Sequence, residues 1–345
     1  RSYFAMGYAF DEYLKKYDDA LLGYQNALQF AKDAVIKAQS YYRMGLIYET
    51  KLNEPDNALK AYETLAADYA SQSNQNIQAM VADAGIRKSD LYVKLGRLEE
   101  ALAQAVSAND MTKQNTISSV AQKVQAQYNL GFLYFDKARS LFSDKPGTDL
   151  KPYIDASRQS ARAYLEVSNI ATPIERVDKS VIPFVQNALF QAGQIYYSLG
   201  TGMKFPEDLN NTTSTLKLFV KYADNKVFPA SADLSKNLVT VLTYLGSAYF
   251  ELGRVQLGFD NEQFTDKVTG YFARAAEVFR DFARRYPKEK DAPLWQYQAG
   301  ESYYAARKYQ KAIAEYEKVR ALGPKHESAA ESLSAISTCY TFLAG

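Results

Sequence analysis

The chain has 345 residues, among them one cysteine, one histidine and one tryptophan. A single cysteine, Cys339, excludes an internal disulfide and any metal or haem site built on cysteine pairs. A single histidine, His326, excludes a catalytic histidine pair and a zinc centre made of imidazoles. No metal and no cofactor is therefore expected. Net charge is nearly absent too, because 41 basic residues face 39 acidic ones and leave +2, with no long run of either sign. The basic stripe of a nucleic-acid-binding domain is missing, which argues against that partner class. No apolar run approaches the roughly 18–20 residues that span a bilayer. The chain opens on Arg1 without an apolar signal segment, and this reads as a processed or trimmed product.

Aromatic residues are plentiful, with 28 tyrosines and 18 phenylalanines, and they are ordered. A small or apolar residue, a glycine and then an aromatic residue three positions on recur as Met6-Gly7 with Phe10, Met44-Gly45 with Tyr48, and Leu130-Gly131 with Tyr134. The same pattern returns as Ala192-Gly193 with Tyr196, Leu245-Gly246 with Tyr249, and Ala299-Gly300 with Tyr303. Successive glycines lie 38, 86, 62, 53 and 54 residues apart, and the long interval holds a degenerate unit in which Ser89 and Tyr92 take the two places. A second pattern follows most of these segments, as in Tyr17, Ala20, Tyr24 and Ala27, or Tyr309, Ala312, Tyr316 and Val319. Steps of three and four put such residues on one helical face. The reading is seven helix pairs. A helix-interior glycine costs about 1 kcal/mol relative to alanine, so its recurrence asks for a packing reason. The one expected is a close approach of Gly300 to Ala312, and of their equivalents, across each pair.

These residues resemble the tetratricopeptide repeat family. Gly300, Tyr303, Ala312, Tyr316 and Pro324 match its hallmark places, Trp295 stands one residue from the expected tryptophan, and Arg285-Tyr286-Pro287 closes the preceding unit in the same way. The resemblance is strong over 1–70 and 240–326 and weak over 136–185 and 201–235. It implies an all-α fold: a right-handed α-solenoid of helix hairpins spanning 1–345 as one superhelix. Three insertions are expected at 142–152, 200–214 and 258–267, and a helix over 326–343 as a cap. The Tyr-Pro repeat ends and paired aromatics are similar to repeat lipoproteins of the bacterial outer membrane and periplasm. That likeness implies peripheral association with the envelope.

The resemblance also implies a site. The residue after the motif aromatic, with its neighbours one turn away, faces the concave groove of such repeats, where peptides bind. Here that face would carry Tyr42, Tyr128, Phe132, Phe135, Phe190, Gln194, Tyr197, Phe250, Tyr297, Glu301 and Tyr304. Tyrosine and phenylalanine offer large contact area at small entropic cost. The bland alternative is that these rings only pack against neighbouring helices. Cys339 reads as a small core residue and His326 as solvated. Asn210 and Asn211 begin overlapping glycosylation sequons of little weight. The pairs Asp18-Asp19 and Glu99-Glu100 read as helix-start carboxylates. The expected function is a noncatalytic scaffold for a protein or peptide partner. Two alternatives stand beside it: an α/α-toroid enzyme acting on polysaccharide, which would need acidic residues converging from several inner helices where the inner positions are mainly aromatic and Glu49 and Glu301 stand far apart in the array, and an architectural subunit docking through its convex face.

Overall fold

The computed structural model describes residues 1–114, 119–260 and 263–344. Every regular element among them is helical. The chain forms two compact units, Arg1–Phe184 and Val185–Gly345. In the first, four antiparallel hairpins follow one another: α1 (Ser2–Ala9) with α2 (Tyr17–Phe30), α3 (Ala34–Ile47) with α4 (Pro55–Tyr69), α5 (Gln75–Lys94) with α6 (Leu98–Gln114), and α7 (Val120–Leu141) with α8 (Lys151–Ile170). The second holds α9 (Ile182–Gly202), whose first turn lies at the unit boundary, with α10 (Pro206–Asp224), then α11 (Ala232–Phe259) with α12 (Asp266–Arg285) and α13 (Ala292–Ala305) with α14 (Tyr309–Leu322). A last helix, α15 (Glu327–Ala344), packs on α14 and α13. Within each unit the second helix of one hairpin packs on the first helix of the next. No helix among the described residues is long and apolar enough to cross a membrane.

The recurrent glycines have a packing reason, but it differs from the expected one. Gly300 meets the ring of Tyr316, one turn beyond Ala312, and a Cβ at Gly300 would sit 2.9 Å from Tyr316 Cζ. At Gly45 an added Cβ would lie 2.7 Å from Tyr62 Cδ1, and Gly131 and Gly246 face Tyr164 and Phe279 in the same way, whereas Gly193 faces Leu216 and Gly7 meets the Ala20 carbonyl oxygen and the Tyr24 backbone nitrogen at 3.1 Å as well as the Tyr24 ring. These rings are buried. In most hairpins the glycine cuts a slot for an aromatic ring from the second helix, or for Leu216 at Gly193, with Ala312 and its equivalents filling the core beside it, and in the first hairpin the expected approach of the Ala20 backbone to Gly7 is also present. The degenerate unit obeys the same logic. Ser89 can replace glycine because the opposing ring position is Ala105, and the Ser89 hydroxyl donates to the Ala101 carbonyl at 3.1 Å.

The first two hairpins carry one more residue between glycine and alanine than the last: 13 positions from Gly7 to Ala20 and from Gly45 to Ala58, against 12 from Gly300 to Ala312. Both surplus residues are absorbed by a π-helical turn at the end of the first helix, Phe10–Leu14 and Tyr48–Leu52. Each turn then stops on a residue in the left-handed region, Lys15 (φ 53°) or Asn53 (φ 55°), so the second helix starts in the same relation to its partner.

Two expectations about local structure need correction. The break expected over 200–214 shrinks to 203–205, because Pro206 fixes the first helical turn and Glu207 and Asp208 complement the dipole there. The Asn-Asn-Thr-Thr run that reads as loop is helical. Its Thr212 and Thr213 are buried, and their hydroxyls donate back to the carbonyls of Asp208 and Asn210. This also removes the loop setting in which sequons act. His326 is half-buried rather than solvated, and its Nδ1 accepts from the Ser328 N–H at 3.3 Å, at the start of α15. Elsewhere 142–150 connects α7 and α8, and Cys339 is fully buried against Tyr316 and Ala312. Of the insertion at 258–267, residues 261 and 262 lie outside the described residues.

Candidate partner-binding face

The first helices of the hairpins carry all eleven residues expected to line a groove. In the first unit Tyr42 projects from α3 toward α5, where its hydroxyl donates to Asp83 Oδ2 at 2.5 Å. Burial, with Asp83 adding to it, pushes its phenol up to about 12. Asp83 is also bound by Arg87 Nε at 2.7 Å, and Arg87 reaches across to Glu49 at 3.2 Å. Glu49 accepts in turn from the Tyr62 hydroxyl at 2.9 Å. One turn further along α5, Asp90 accepts from Asn129 Nδ2 of α7 at 2.9 Å. Burial, then repulsion from Glu49, raises the Asp90 carboxyl to about 6 despite Lys94 and Arg87. A polar seam thus runs across α3, α5 and α7. On α7, Tyr128 sits edge-on between Tyr164 and Phe184, Phe132 is 42% exposed, and Phe135 is half-buried.

In the second unit Phe190 leans on Phe219 of α10, and Gln194 is half-buried one turn further along α9. Tyr197 stacks flat on Tyr244 of α11, with centroids 4.1 Å apart and planes at 9°. Its hydroxyl is hydrogen-bonded with Ser247. Phe250 turns instead toward its own hairpin and meets Phe272 of α12 edge-on at 5.2 Å. On α13, Tyr297 packs on Tyr316, and Glu301 accepts from the Tyr316 hydroxyl at 2.6 Å and is hydrogen-bonded with Tyr297. Tyr304 lies between Tyr309 and Phe342, the latter on α15. None of the eleven is fully buried, and all but Phe132 fall between buried and exposed. They form two separate sets, one in each unit.

The hairpin α3–α4 and the hairpin α13–α14 are also where the sequence meets a known family. The sequence model of the tetratricopeptide repeat matches residues 39–71 and 296–326. The chain contains tetratricopeptide repeats. No curated protein matches it. Among solved structures, a tetratricopeptide repeat protein from Parabacteroides merdae is similar at 13% identity and TM-score 0.39, over 87% of this chain and 98% of that one. The apo form of RapI is similar at 13% identity and TM-score 0.43, over 94% and 98%. The C-terminal part of a repeat protein from Cytophaga hutchinsonii is similar at 15% identity and TM-score 0.35, over 96% and 99%.

Reading tetratricopeptide repeats by their glycine and aromatic places misses the polar residues that share this face. Asp83, Arg87, Asp90 and Asn129 in the first unit, and Tyr244, Ser247, Glu251 and Arg254 in the second, are absent from the expected set. The missed residues of α11 follow one another at helical steps of three and four from Tyr244 onward, which is the signal that could have found them. Ser247, Glu251 and Arg254 help to line a cavity of about 530 Å³ between the end of α9, the start of α10 and the second half of α11. In the first unit a smaller, largely apolar hollow of about 260 Å³ lies among Phe4, Tyr8, Gln39, Tyr42, Arg43 and Met80.

Proposed function

We propose that the chain is a noncatalytic scaffold whose first-helix face holds a protein or peptide segment. The observation that carries this reading is the half-exposed state of the expected aromatic residues, from Tyr42 to Tyr304, on helices whose opposite faces are already committed to the core. Rings held by packing on one side and open on the other provide rigid contact area at low entropic cost. The carboxylates that an enzyme would require are otherwise engaged. Glu49 serves Tyr62 and Arg87, and Glu301 serves Tyr316 and Tyr297.

We place the partner in a bacterial cell-envelope assembly, on the likeness of the Tyr-Pro repeat ends and paired aromatics to envelope repeat lipoproteins. The test is affinity purification from native membranes and soluble extract with the wild type beside Tyr197→Ala and Phe132→Ala. The expected result is a set of envelope proteins retained by the wild type and depleted by at least one variant that still folds. Retention of the same set by both folded variants would overturn the assignment of this face.

A further inference from the structure

The cavity at the α9–α11 junction has a composition that selects its occupant. One wall is the Tyr197 ring, fixed by its stack on Tyr244, and Leu209 and Val255 add apolar surface. Gly200 lets α10 approach closely, since a Cβ there would lie 2.8 Å from the Leu209 side chain and 2.9 Å from its backbone nitrogen. Three charged residues line the rest: Lys204, Glu251 and Arg254. Glu251 is already paired, with Arg254 at 2.9 Å on the same helix. Lys204 is exposed at the cavity edge, in the short α9–α10 connection, at φ 58°, and makes no ion pair among the described residues. The uncompensated charge of the cavity is therefore one cation.

Resting on the reading of this face as a peptide-binding one, we propose that the cavity receives an acidic side chain of an extended peptide together with an adjacent apolar side chain. The carboxylate meets Lys204 and the exposed guanidinium edge of Arg254, whose side chain is 63% exposed. The apolar neighbour lies against the Tyr197 ring, Leu209 and Val255. A volume of about 530 Å³ is many times the roughly 30 Å³ share of one water molecule and accommodates more than a lone carboxylate. Complementary charge sets specificity and encounter rate here more than raw affinity.

The probe is a phage-displayed library of random linear peptides, selected on the wild-type chain, on Lys204→Glu and on Tyr304→Ala. Wild-type binders are expected to be enriched in Asp or Glu next to an apolar residue, and to lose affinity as salt is raised. Their synthetic peptides should bind Lys204→Glu roughly tenfold or more weakly, with Lys204→Arg restoring affinity and the same charge reversal at Lys290, exposed between α12 and α13 and outside the cavity, leaving it unchanged. Lys204 is exposed, so unfolding temperatures of its variants should match the wild type. Selected peptides without acidic residues, or equal binding to Lys204→Glu, would overturn the cavity assignment. In that case, loss of binding in Tyr304→Ala would leave the broader reading standing. A library that yields no binder counts against both.

Discussion

Replacing Asp90 by asparagine should stabilise the protein at neutral pH and lose that benefit in acid. Asp90 lies in the seam between α5 and α7, where burial raises its carboxyl from 3.8 to about 6, with Glu49 and Asp83 adding to the rise and Lys94 and Arg87 opposing it. Arg87 is already committed to Asp83 and Glu49. A folded-state pKa above the unfolded one means that the native state holds this proton more tightly. Its contribution to stability is then fully present below about pH 4, falls as pH rises through the interval up to about 6, and is lost above it. Two units at about 1.36 kcal/mol each set an upper bound of about 3 kcal/mol. The side chain is partly exposed, so solvent screening reduces the expected gain of Asp90→Asn to about 1–2 kcal/mol near pH 7. An asparagine oxygen can still accept from Asn129, so the hydrogen bond need not be lost. Urea midpoints of wild type and variant, measured near pH 7 and near pH 4.5, isolate the effect, because other carboxylates titrate equally in both chains. A variant less stable than wild type at neutral pH, or a difference that does not change with pH, would refute the argument.

Gly45→Ala should cost about 1–3 kcal/mol by driving a methyl group into the Tyr62 ring, and pairing it with Tyr62→Leu should recover part of that loss in denaturant titrations. Gly85→Ala, where the added carbon's one tight contact is Ala108 Cβ at 3.1 Å, with Gln104 Nε2 and Ala108 Cα at 3.5 and 3.6 Å, should cost clearly less. Ala312→Leu should destabilise by about 1–3 kcal/mol, since Ala312 is fully buried among Ala276, Tyr303, Tyr316 and Cys339, and an unchanged midpoint would show that this part of the core has room. Tyr197→Ala and Tyr304→Ala should each lose less stability than the roughly 3–5 kcal/mol of a fully buried ring, as read by thermal unfolding. Full-size losses in both would mean that these tyrosines serve packing alone.

The hairpins were legible because helix pairing writes itself into local spacing: glycine, an aromatic residue three positions on, and alanine some 12 or 13 positions later. What Gly300 faces was not. A helical face can be read from periodicity, but Ala312 and Tyr316 share that face, and only the lean of the tyrosine ring decides which of them reaches across. The start of α10 was obscured because Asn, Thr and Ser mark turns when exposed, whereas here threonine hydroxyls bond within the helix. The seam across α3, α5 and α7 is non-local. Tyr42 and Asp83 are 41 residues apart, Glu49 and Arg87 38, and Asp90 and Asn129 39. These separations are close to the 38 residues between the first two glycines, so complementary side chains one repeat apart were a visible clue. The helical positions of the eleven candidate residues were legible, while the turn of Phe250 toward α12 and of Tyr197 toward α11 depended on neighbours that spacing does not name.

The π-turns at Phe10–Leu14 and Tyr48–Leu52 give the array a tolerance to changes in length. A repeat that gains a residue at the end of its first helix can store it as one widened turn, so the glycine slot and its tyrosine stay in register and neighbouring hairpins register no change. The last repeat, with 12 positions between Gly300 and Ala312, shows the same pairing without the extra residue. A single-residue insertion is therefore expected to cost less at this corner than one turn earlier. Along a lineage, length variation between copies should collect there, which makes the corner the natural graft point for adding a side chain to the face without disturbing the core.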